Sequence, residues 1–352
     1  MLTEYIQLLL ARLLTKKQKD TPIERGSVHR QQRWFIYLPR NTRTRRIALQ
    51  LATAVLSVVF VISAGNLLGY GAEYLSSIIA SYSLRHTYQE ERRQEDQRTP
   101  IPAESTATPV PTPESSQLPP DEETPRPTAT PVERLKAVPY PNNPYTIMSS
   151  RFSKIRRQNK DIIGWLTIDG LVDEAVVQRD NQYYLNRDYK GYHNNNGAIF
   201  LDEVTSLRTR PYTLMLYGHN MKSGRMFGGL RNFEDLTFYR KNPFITFDTI
   251  YEDGRYVIFA ACTISTNVKN WRYVNWSHMN STSVALRKEA IDSLFRFSVY
   301  GRYIDVQPDD QILLLVTCVA EEEDRRVIAA RRLRDGETEE ELLKSVQKTR
   351  KK

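Results

Sequence analysis

An uncharged segment of 24 residues, from 47 to 70, constrains this 352-residue chain more than any other feature. It reads IALQLATAVLSVVFVISAGNLLGY. A helix of that length extends over roughly 36 Å, which exceeds the hydrocarbon core of a bilayer at about 30 Å. A cleaved signal peptide is the competing interpretation, but the 46 residues in front are too long for its n-region. The segment is therefore predicted to be an uncleaved transmembrane signal-anchor helix.

The charges that flank this segment predict its orientation. Residues 1–46 hold eleven Lys and Arg against three acids, whereas the flank after residue 70 is mixed in sign. Because basic flanks stay in the cytoplasm, we expect a cytoplasmic basic tail at 1–46 and an extracellular remainder, in a single-pass cell-membrane protein. The tail carries most of the formal net charge of +9, so the basic composition argues for membrane topology and against nucleic-acid binding.

Proline marks the next boundary. Thirteen of the 18 prolines lie between Pro100 and Pro144, a spacing that favours extended chain over packing. This divides the rest of the chain into four predicted parts. They are an extracellular juxtamembrane segment (71–98), a disordered Pro/Thr/Glu-rich linker (99–144), a folded domain (145–335) and a charged C-terminal tail (336–352).

The folded domain begins with a helical pattern and continues with short apolar runs that are bounded by Gly, Asn or Asp. The runs are GWLTIDG, EAVVQ, GAIFLD, YTLMLYGH, FITFDTI, RYVIFAACTI, QILLLVTC and RVIAARRL. They predict a mostly β domain of about eight strands, as a largely antiparallel barrel or sandwich. A helix is expected between Ser283 and Phe297, inserted before the strand that ends at Cys318.

Residues with catalytic chemistry lie at three predicted strand ends. Cys318 ends the most apolar run, His219 ends another, and Arg325 and Arg326 begin the strand after Cys318, so that one arginine points to each face of the sheet. Thiol attack on a carbonyl needs an acid/base group and a cation for the oxyanion, which these residues offer. Taken singly, a core cysteine, a structural histidine and two solvated arginines are the simpler interpretations.

The remaining cysteine, histidine and aromatic residues indicate little further chemistry. Two cysteines allow one disulfide but no disulfide framework, and Cys262 is expected to be a buried strand residue. The five histidines are scattered and no acidic cluster has calcium-loop spacing, so neither a metal nor a cofactor is predicted. Trp271, Tyr273 and Trp276 either line a groove or cap the core.

Several segments together resemble the class B sortases, cysteine transpeptidases of Gram-positive cell surfaces. NKDIIGWLTIDG is similar to the family's N-x-D-I-I-G-W-L-x-I start, and VVQRDNQYYLNRDY to its V-x-Q-x-x-D-N-x-x-Y-L stretch. GAIFLD, YGHNMKSGRMFGGL and VTC with its downstream arginine follow in the family's order, so the resemblance covers residues 155–335. It implies a sortase-type closed β-barrel, antiparallel or mixed, with an N-terminal helix.

The resemblance also implies roles for individual residues. By position, His219 is the catalytic histidine and Cys318 the nucleophile. The corresponding strand of the family reads approximately D-A-R-F-V-V-Y-A-R-L. Aligned with it without gaps, DRRVIAARRL places Arg326 at the position of the catalytic arginine, and Arg325 is the alternate. The substrate-binding residues implied in the same way are Asn181, Leu185 and Thr317.

The implied activity is that of a surface-protein-anchoring thiol protease and transpeptidase. It would cleave the C-terminal sorting motif of an exported protein at a Thr carbonyl and transfer the acyl group to an amine of peptidoglycan or to a pilin lysine. The alternatives are a non-catalytic cell-wall scaffold with a sortase-like barrel, or a pilin-polymerising or hydrolytic cysteine peptidase. Val316 stands where many members have Ser, and the resemblance specifies neither sorting motif, acceptor, calcium dependence nor oligomeric state.

Overall fold

The computed structural model describes residues 42–97, 133–318 and 323–352. The chain divides into two compact units, Met1–Glu73 and Tyr74–Lys352. The predicted cytoplasmic tail up to residue 41 and most of the predicted linker lie outside the described residues.

The first unit contains the beginning of helix α1, which runs from Thr42 to Gln97. Gln50–Gly69 has a mean hydropathy of 2.1 and is the only described helical stretch that is long and apolar enough to cross a membrane. Its side chains are almost all exposed in the structure, as expected of a surface that lipid would cover. By length and composition, this stretch is compatible with the predicted transmembrane helix.

The second unit is built on a closed barrel of eight strands in the order β1-β2-β3-β4-β7-β8-β6-β5. The barrel is mixed, because β2 pairs with β3 and β4 pairs with β7 in parallel while all other neighbours are antiparallel. This confirms the prediction of a closed barrel of about eight strands. The strands are β1 (Ile162–Ile168), β2 (Val172–Val177), β3 (Ile199–Leu201), β4 (Thr213–Tyr217), β5 (Phe244–Thr249), β6 (Arg255–Ser265), β7 (Ile312–Cys318) and β8 (Asp324–Arg332).

Short helices connect the strands and cover the barrel. The α-helices after α1 are α2 (Ser153–Gln158), α3 (Leu236–Lys241), α4 (Trp276–Met279), α5 (Val284–Phe297) and α6 (Glu339–Lys348), and the 3-10 helices span Ser150–Phe152, Tyr183–Asn186 and Gly228–Glu234. The predicted N-terminal helix is therefore present, as is the inserted one. Ser283 is the N-cap of the inserted helix α5, and its side-chain oxygen accepts from the Leu286 N–H.

The barrel interior explains why β7 reads as a continuous apolar run. Its residues from Ile312 to Val316 are at most 2% exposed. β7 lies between β4 and β8 in the closed barrel, and consecutive residues that point to opposite faces are buried alike, so alternation of polar and apolar residues is lost. Packing thus holds this strand from Ile312 to Thr317.

The last turns of α1 pack on the outside of the barrel. Leu84 and Tyr88, one helical turn apart, are each 1% exposed, and the Tyr88 ring stacks on Trp165 of β1 with centroids 4.3 Å apart. The Tyr88 hydroxyl donates to the Asp248 carboxylate at 2.9 Å, and Arg92 lies 3.3 Å from the same carboxylate. The segment predicted as juxtamembrane therefore contributes to the folded unit.

Residues 133–144, within the range predicted as linker, also contact the barrel unit. Arg134 and Val138 form bridges with Ser283 and Arg210. Tyr140 is 2% exposed and its hydroxyl donates to the Leu207 carbonyl. Helix α6 lies within the predicted charged tail and begins with a capping box of Thr338 and Glu341.

Candidate active site

His219 lies two residues beyond the end of β4. Its Nε2 is 2.6 Å from the carbonyl oxygen of Leu185, in the 3-10 helix Tyr183–Asn186. A carbonyl oxygen only accepts hydrogen bonds, so this contact assigns the proton to Nε2. Nδ1 is the other ring nitrogen, and no hydrogen bond to the Leu185 carbonyl engages it.

Gly197 permits this contact between two distant segments. Its φ of +62° is in the left-handed region. A Cβ at this position would lie 2.6 Å from the Leu185 carbonyl oxygen and 3.1 Å from Cδ2 of His219. Only glycine therefore allows the backbone to approach the imidazole and its acceptor together.

The pairing of β4 with β7 brings His219 and Cys318 to the same edge of the barrel. The two strands run parallel, Tyr217 pairs with Val316, and the Gly218 N–H donates to the Val316 carbonyl at 3.3 Å. His219 and Cys318 each follow this pair by two residues in the same chain direction. Two residues separated by 99 positions in sequence thus leave neighbouring strands side by side.

The antiparallel pairing of β7 with β8 positions the two arginines. Cys318 stands opposite Arg325, and Thr317 stands opposite Arg326. Residues 319–322, which connect the strands, lie outside the described part of the chain. Because side chains alternate along a strand, Arg325 and Arg326 project to opposite faces of β8, as predicted.

The surroundings of the two arginines differ. Arg326 makes a salt bridge with Glu234 at 2.7 Å and its side chain is 15% exposed. Arg325 lies on the same face of the sheet as Tyr217. Tyr217 pairs with Val316, which in turn pairs with Val327, and paired residues share a face. Arg325 is two residues before Val327 and therefore points to that face as well. Its guanidinium donates to the Asp324 carbonyl at 3.0 Å.

Tyr217 and Asp202 form a polar pair on that face which the sequence analysis missed. The Tyr217 hydroxyl donates to the Asp202 carboxylate at 2.9 Å. Burial is the largest cause that raises the pKa of Tyr217, and the negative charge of Asp202 is the second. The positive charge of Arg325 acts in the opposite direction and lowers this pKa. Tyr217 directly precedes the Gly-His pair, which is the one sequence signal that could have identified it.

The residues implied as substrate-binding lie in three different environments. Asn181 accepts a hydrogen bond from the Glu203 N–H at 3.0 Å and so ties two loops together. Leu185 is half-buried, and its carbonyl oxygen accepts the hydrogen bond from His219 Nε2. Thr317 and Val316 are each 2% exposed, so their side chains pack into the barrel wall.

The loop that follows β6 is tied to the start of β8. Arg272 makes a salt bridge with the buried Asp324 carboxylate at 2.7 Å, and the Thr266 N–H donates to the Glu323 carbonyl. Trp271 in this loop is 80% exposed, whereas Trp276 packs against the main core. The loop therefore forms a wall beside the Cys318 end of the barrel, with Trp271 on its surface.

The second cysteine takes no part in this arrangement. Cys262 is a free thiol on β6, 3% exposed, so the disulfide that the sequence left open is not formed. Burial raises the pKa of the Cys262 thiol to about 12. Within the described ranges, no group of three or more His, Cys, Asp or Glu side chains comes together in a way that suits a metal ion.

Comparison with known proteins gives relatives of one kind. Sortase B of Listeria monocytogenes is 31% identical over 171 residues, which are 48% of this chain and 67% of that protein. Sortase B of Staphylococcus aureus is 30% identical over 170 residues, with the same two coverages of 48% and 67%.

Among solved structures, sortase B from B. anthracis in complex with AAEK2 is 27% identical, with 58% of this chain and 89% of that chain covered and a TM-score of 0.48. No protein-family model matches the chain. Both relatives, from Listeria and Staphylococcus, are matched over two thirds of their own length at 30% identity or more. On this evidence the chain belongs to the class B sortases.

Proposed function

We propose that this protein is a membrane-anchored cysteine transpeptidase that cleaves a C-terminal sorting motif and transfers the acyl part to an amine. One observation carries the proposal: His219 and Cys318 each lie two residues beyond the paired Tyr217 and Val316. A nucleophile and a proton carrier at the same edge of a rigid sheet are what acyl transfer requires.

The first step forms a thioacyl enzyme. The Cys318 thiolate attacks the carbonyl carbon of a threonine in the motif, which forms a C–S bond and a tetrahedral oxyanion. When the C–N bond breaks, the imidazolium of His219 gives a proton to the departing amine from Nδ1. Nε2 keeps its own proton on the Leu185 carbonyl, so the ring holds one orientation during the transfer.

The second step reverses the proton flow. The nitrogen of an incoming amine attacks the thioacyl carbon and forms a C–N bond, while the C–S bond breaks and returns the thiolate. His219 takes the proton of the amine and is ready for another cycle. A peptidoglycan amine or a pilin lysine is the proposed acceptor, and water in its place gives slow hydrolysis.

We assign the oxyanion role to Arg325, the alternate of the sequence-based choice. The position of Arg325 opposite Cys318 and on the face of Tyr217 supports this assignment. Arg326, which the gap-free alignment favours, is held by Glu234. A guanidinium aimed at a developing oxyanion lowers the barrier by electrostatic stabilisation.

The motif would lie along the edge that the Asn181–Leu185 segment borders. Asn181 and the half-buried Leu185 side chain remain the proposed peptide contacts. Thr317 and Val316 are equally buried, and Val316 stands where many relatives have serine next to the Thr-Cys pair. We therefore expect a motif preference that differs from that of serine-containing members.

The apolar stretch Gln50–Gly69 and the basic residues before it support a cell-surface location. We propose a single pass with the N-terminus in the cytoplasm and the barrel outside. Such an anchor places the enzyme beside exported substrates that are still held in the membrane.

The test is a pooled library of internally quenched sorting-type peptides, incubated with the full chain in detergent and an excess of amine acceptor. We expect cleavage of a small subset after threonine and an amide-linked product whose mass includes the acceptor. Cys318→Ala serves as the control and should yield neither. Cleavage that is unaffected in Cys318→Ala, or a folded protein that cleaves and acylates nothing, would contradict the proposal.

A further inference from the structure

Two arginines lie against one aromatic ring beside the catalytic histidine. The Cζ atoms of Arg179 and Arg187 are 3.9 and 4.4 Å from the centroid of the Tyr183 ring. The Tyr183 ring therefore holds two guanidinium groups close together through cation–π contacts.

The acids of this segment are engaged with the backbone. Asp180 accepts from the N–H groups of Gln182 and Tyr183, and its carboxylate is 3.8 Å from the Arg179 Nε in a half-exposed pair. Among the residues that the structure describes, Arg187 has no carboxylate oxygen within salt-bridge distance; its Nη1 donates to the Tyr183 carbonyl at 3.2 Å. Asp188, beside Arg187, likewise accepts from the N–H groups of Lys190 and Tyr192. Both acids thus direct carboxylate oxygens to the backbone, and the guanidinium of Arg187 is the cation that the cluster offers to a ligand.

The cluster borders the place where the second substrate must arrive. Leu185 lies between Tyr183 and Arg187 in the same short turn, and its carbonyl contacts His219 Nε2 at 2.6 Å. In the proposed cycle, His219 takes a proton from the incoming amine. An acceptor whose amine reaches His219 therefore passes close to the turn that Arg187 ends. Arg179 contacts the same Tyr183 ring as Arg187.

We propose that Arg179, Tyr183 and Arg187 form a binding site for an anionic group, carboxylate or phosphate, carried by the amine acceptor. The inference rests on the proposed function and extends it to the class of second substrate. Arginine forks bind carboxylates and phosphates through paired charge-assisted hydrogen bonds, and the stack on Tyr183 removes much of the entropy cost of ordering them. In the transfer step this site would act beside the acyl peptide that Asn181 and Leu185 are proposed to contact.

The first experiment compares acceptors that differ in one charge. The full chain in detergent is acylated by a cleaved peptide and then offered triglycine or triglycinamide, and in a second arm 2-aminoethyl phosphate or ethanolamine. We expect the anionic member of a pair to be used at lower concentration, and Arg179→Gln/Arg187→Gln to raise its KM about tenfold, as for one lost charge-assisted contact. The arm with the larger effect distinguishes carboxylate from phosphate.

The KM of the neutral acceptor and the ratio of acylation to hydrolysis report on structural damage. Lys344→Gln, which removes an exposed charge on α6, is the matched control and should leave the anionic preference intact. Equal use of charged and neutral acceptors by the parent, or equal losses for both in the double variant, would overturn the proposal. The second outcome would identify the arginines as mere supports of the loop.

A titration of inorganic tripolyphosphate by calorimetry needs no turnover. Saturable binding to the parent, at least about tenfold weaker in the double variant and weakened by added salt, is the expected result. Absence of binding to the parent, or identical binding by both proteins, would contradict the site. A protein that binds the anion but forms no thioacyl intermediate would instead contradict the proposed function.

Discussion

Cys318, the last residue of β7, stands directly opposite Arg325 of β8, and Arg326 stands opposite Thr317. The one-residue difference matters because neighbouring residues of a strand project to opposite faces. It separates an arginine that shares the face of Tyr217 from one that is bound to Glu234.

The first prediction concerns this pair of arginines. Arg325→Gln should slow thioacyl formation by about 10²–10³-fold, the usual cost of a lost oxyanion donor. Arg326→Gln should slow it by less than about tenfold, because the salt bridge that it loses involves a half-exposed Glu234. Single-turnover acylation with one peptide measures both, and thermal unfolding checks that each variant folds. The opposite order of effects would return the role to Arg326.

The second prediction concerns the glycine behind the histidine. Gly197→Ala introduces a Cβ against the Leu185 carbonyl and the His219 ring at a positive φ, so we expect about 1–3 kcal/mol of destabilisation and at least about tenfold slower acylation. Gly170→Ala is the matched control, because its φ is +67° but no atom lies near its Cβ position. It should cost stability of about 1 kcal/mol and leave acylation unchanged. Equal activity losses in both variants would contradict the account.

The third prediction concerns thiol reactivity. Between pH 7 and 9, a small alkylating reagent should modify one cysteine of the native chain, since Cys262 is buried and its pKa is raised to about 12. Intact mass should show a single adduct that Cys318→Ala abolishes, and two adducts after denaturation. Modification of Cys262 in the folded Cys318→Ala variant would show that β6 opens to solvent.

The fourth prediction concerns the carboxylate beneath α1. Burial, followed by repulsion from Asp253, raises the pKa of Asp248, which is 1% exposed. The pKa of an Asp in the unfolded chain is about 3.9, so the folded state keeps this proton to higher pH than the unfolded chain does. Ionisation of Asp248 therefore lowers the stability of the folded state as pH rises above about 4. Asp248→Asn removes the titration, so its stability relative to the parent should increase with pH.

Tyr88→Phe provides the internal check on the same group. The Tyr88 hydroxyl donates to the Asp248 carboxylate and holds its pKa down, so its removal should raise the pKa of Asp248 further. The loss of stability with rising pH should then be larger than in the parent, with about 1–3 kcal/mol lost at neutral pH. Urea unfolding between pH 4 and 8 measures each slope. Parallel curves for the parent and both variants would refute the raised pKa.

The strands were predictable because each is a short apolar run between turn residues. Their connectivity was not, since nothing in EAVVQ or TLMLYGH signals that β2 pairs with β3 and β4 with β7 in parallel. The docked end of α1 was missed for a related reason. Leu84 and Tyr88 are two apolar side chains in a charge-rich segment, and only the barrel surface around Trp165 makes them a core.

The candidate site was predictable in its residue types but not in its geometry. His219 and Cys318 follow strands that any apolar-run analysis finds, yet the Leu185 contact joins residues 34 positions apart. The choice between Arg325 and Arg326 depends on the register of β8 against β7, in which Cys318 pairs with Arg325. The alignment of DRRVIAARRL compares β8 alone and so carries no information on that register.

The central claim is tested most directly by trapping the covalent intermediate. The full chain in detergent is mixed with a cleavable sorting peptide without added amine, quenched in acid within seconds, and analysed by intact mass. The account predicts a mass increase equal to the peptide fragment that ends at threonine, located at Cys318 by digestion and absent in Cys318→Ala. Peptide cleavage without any adduct at Cys318, or an adduct that persists in Cys318→Ala, would contradict it.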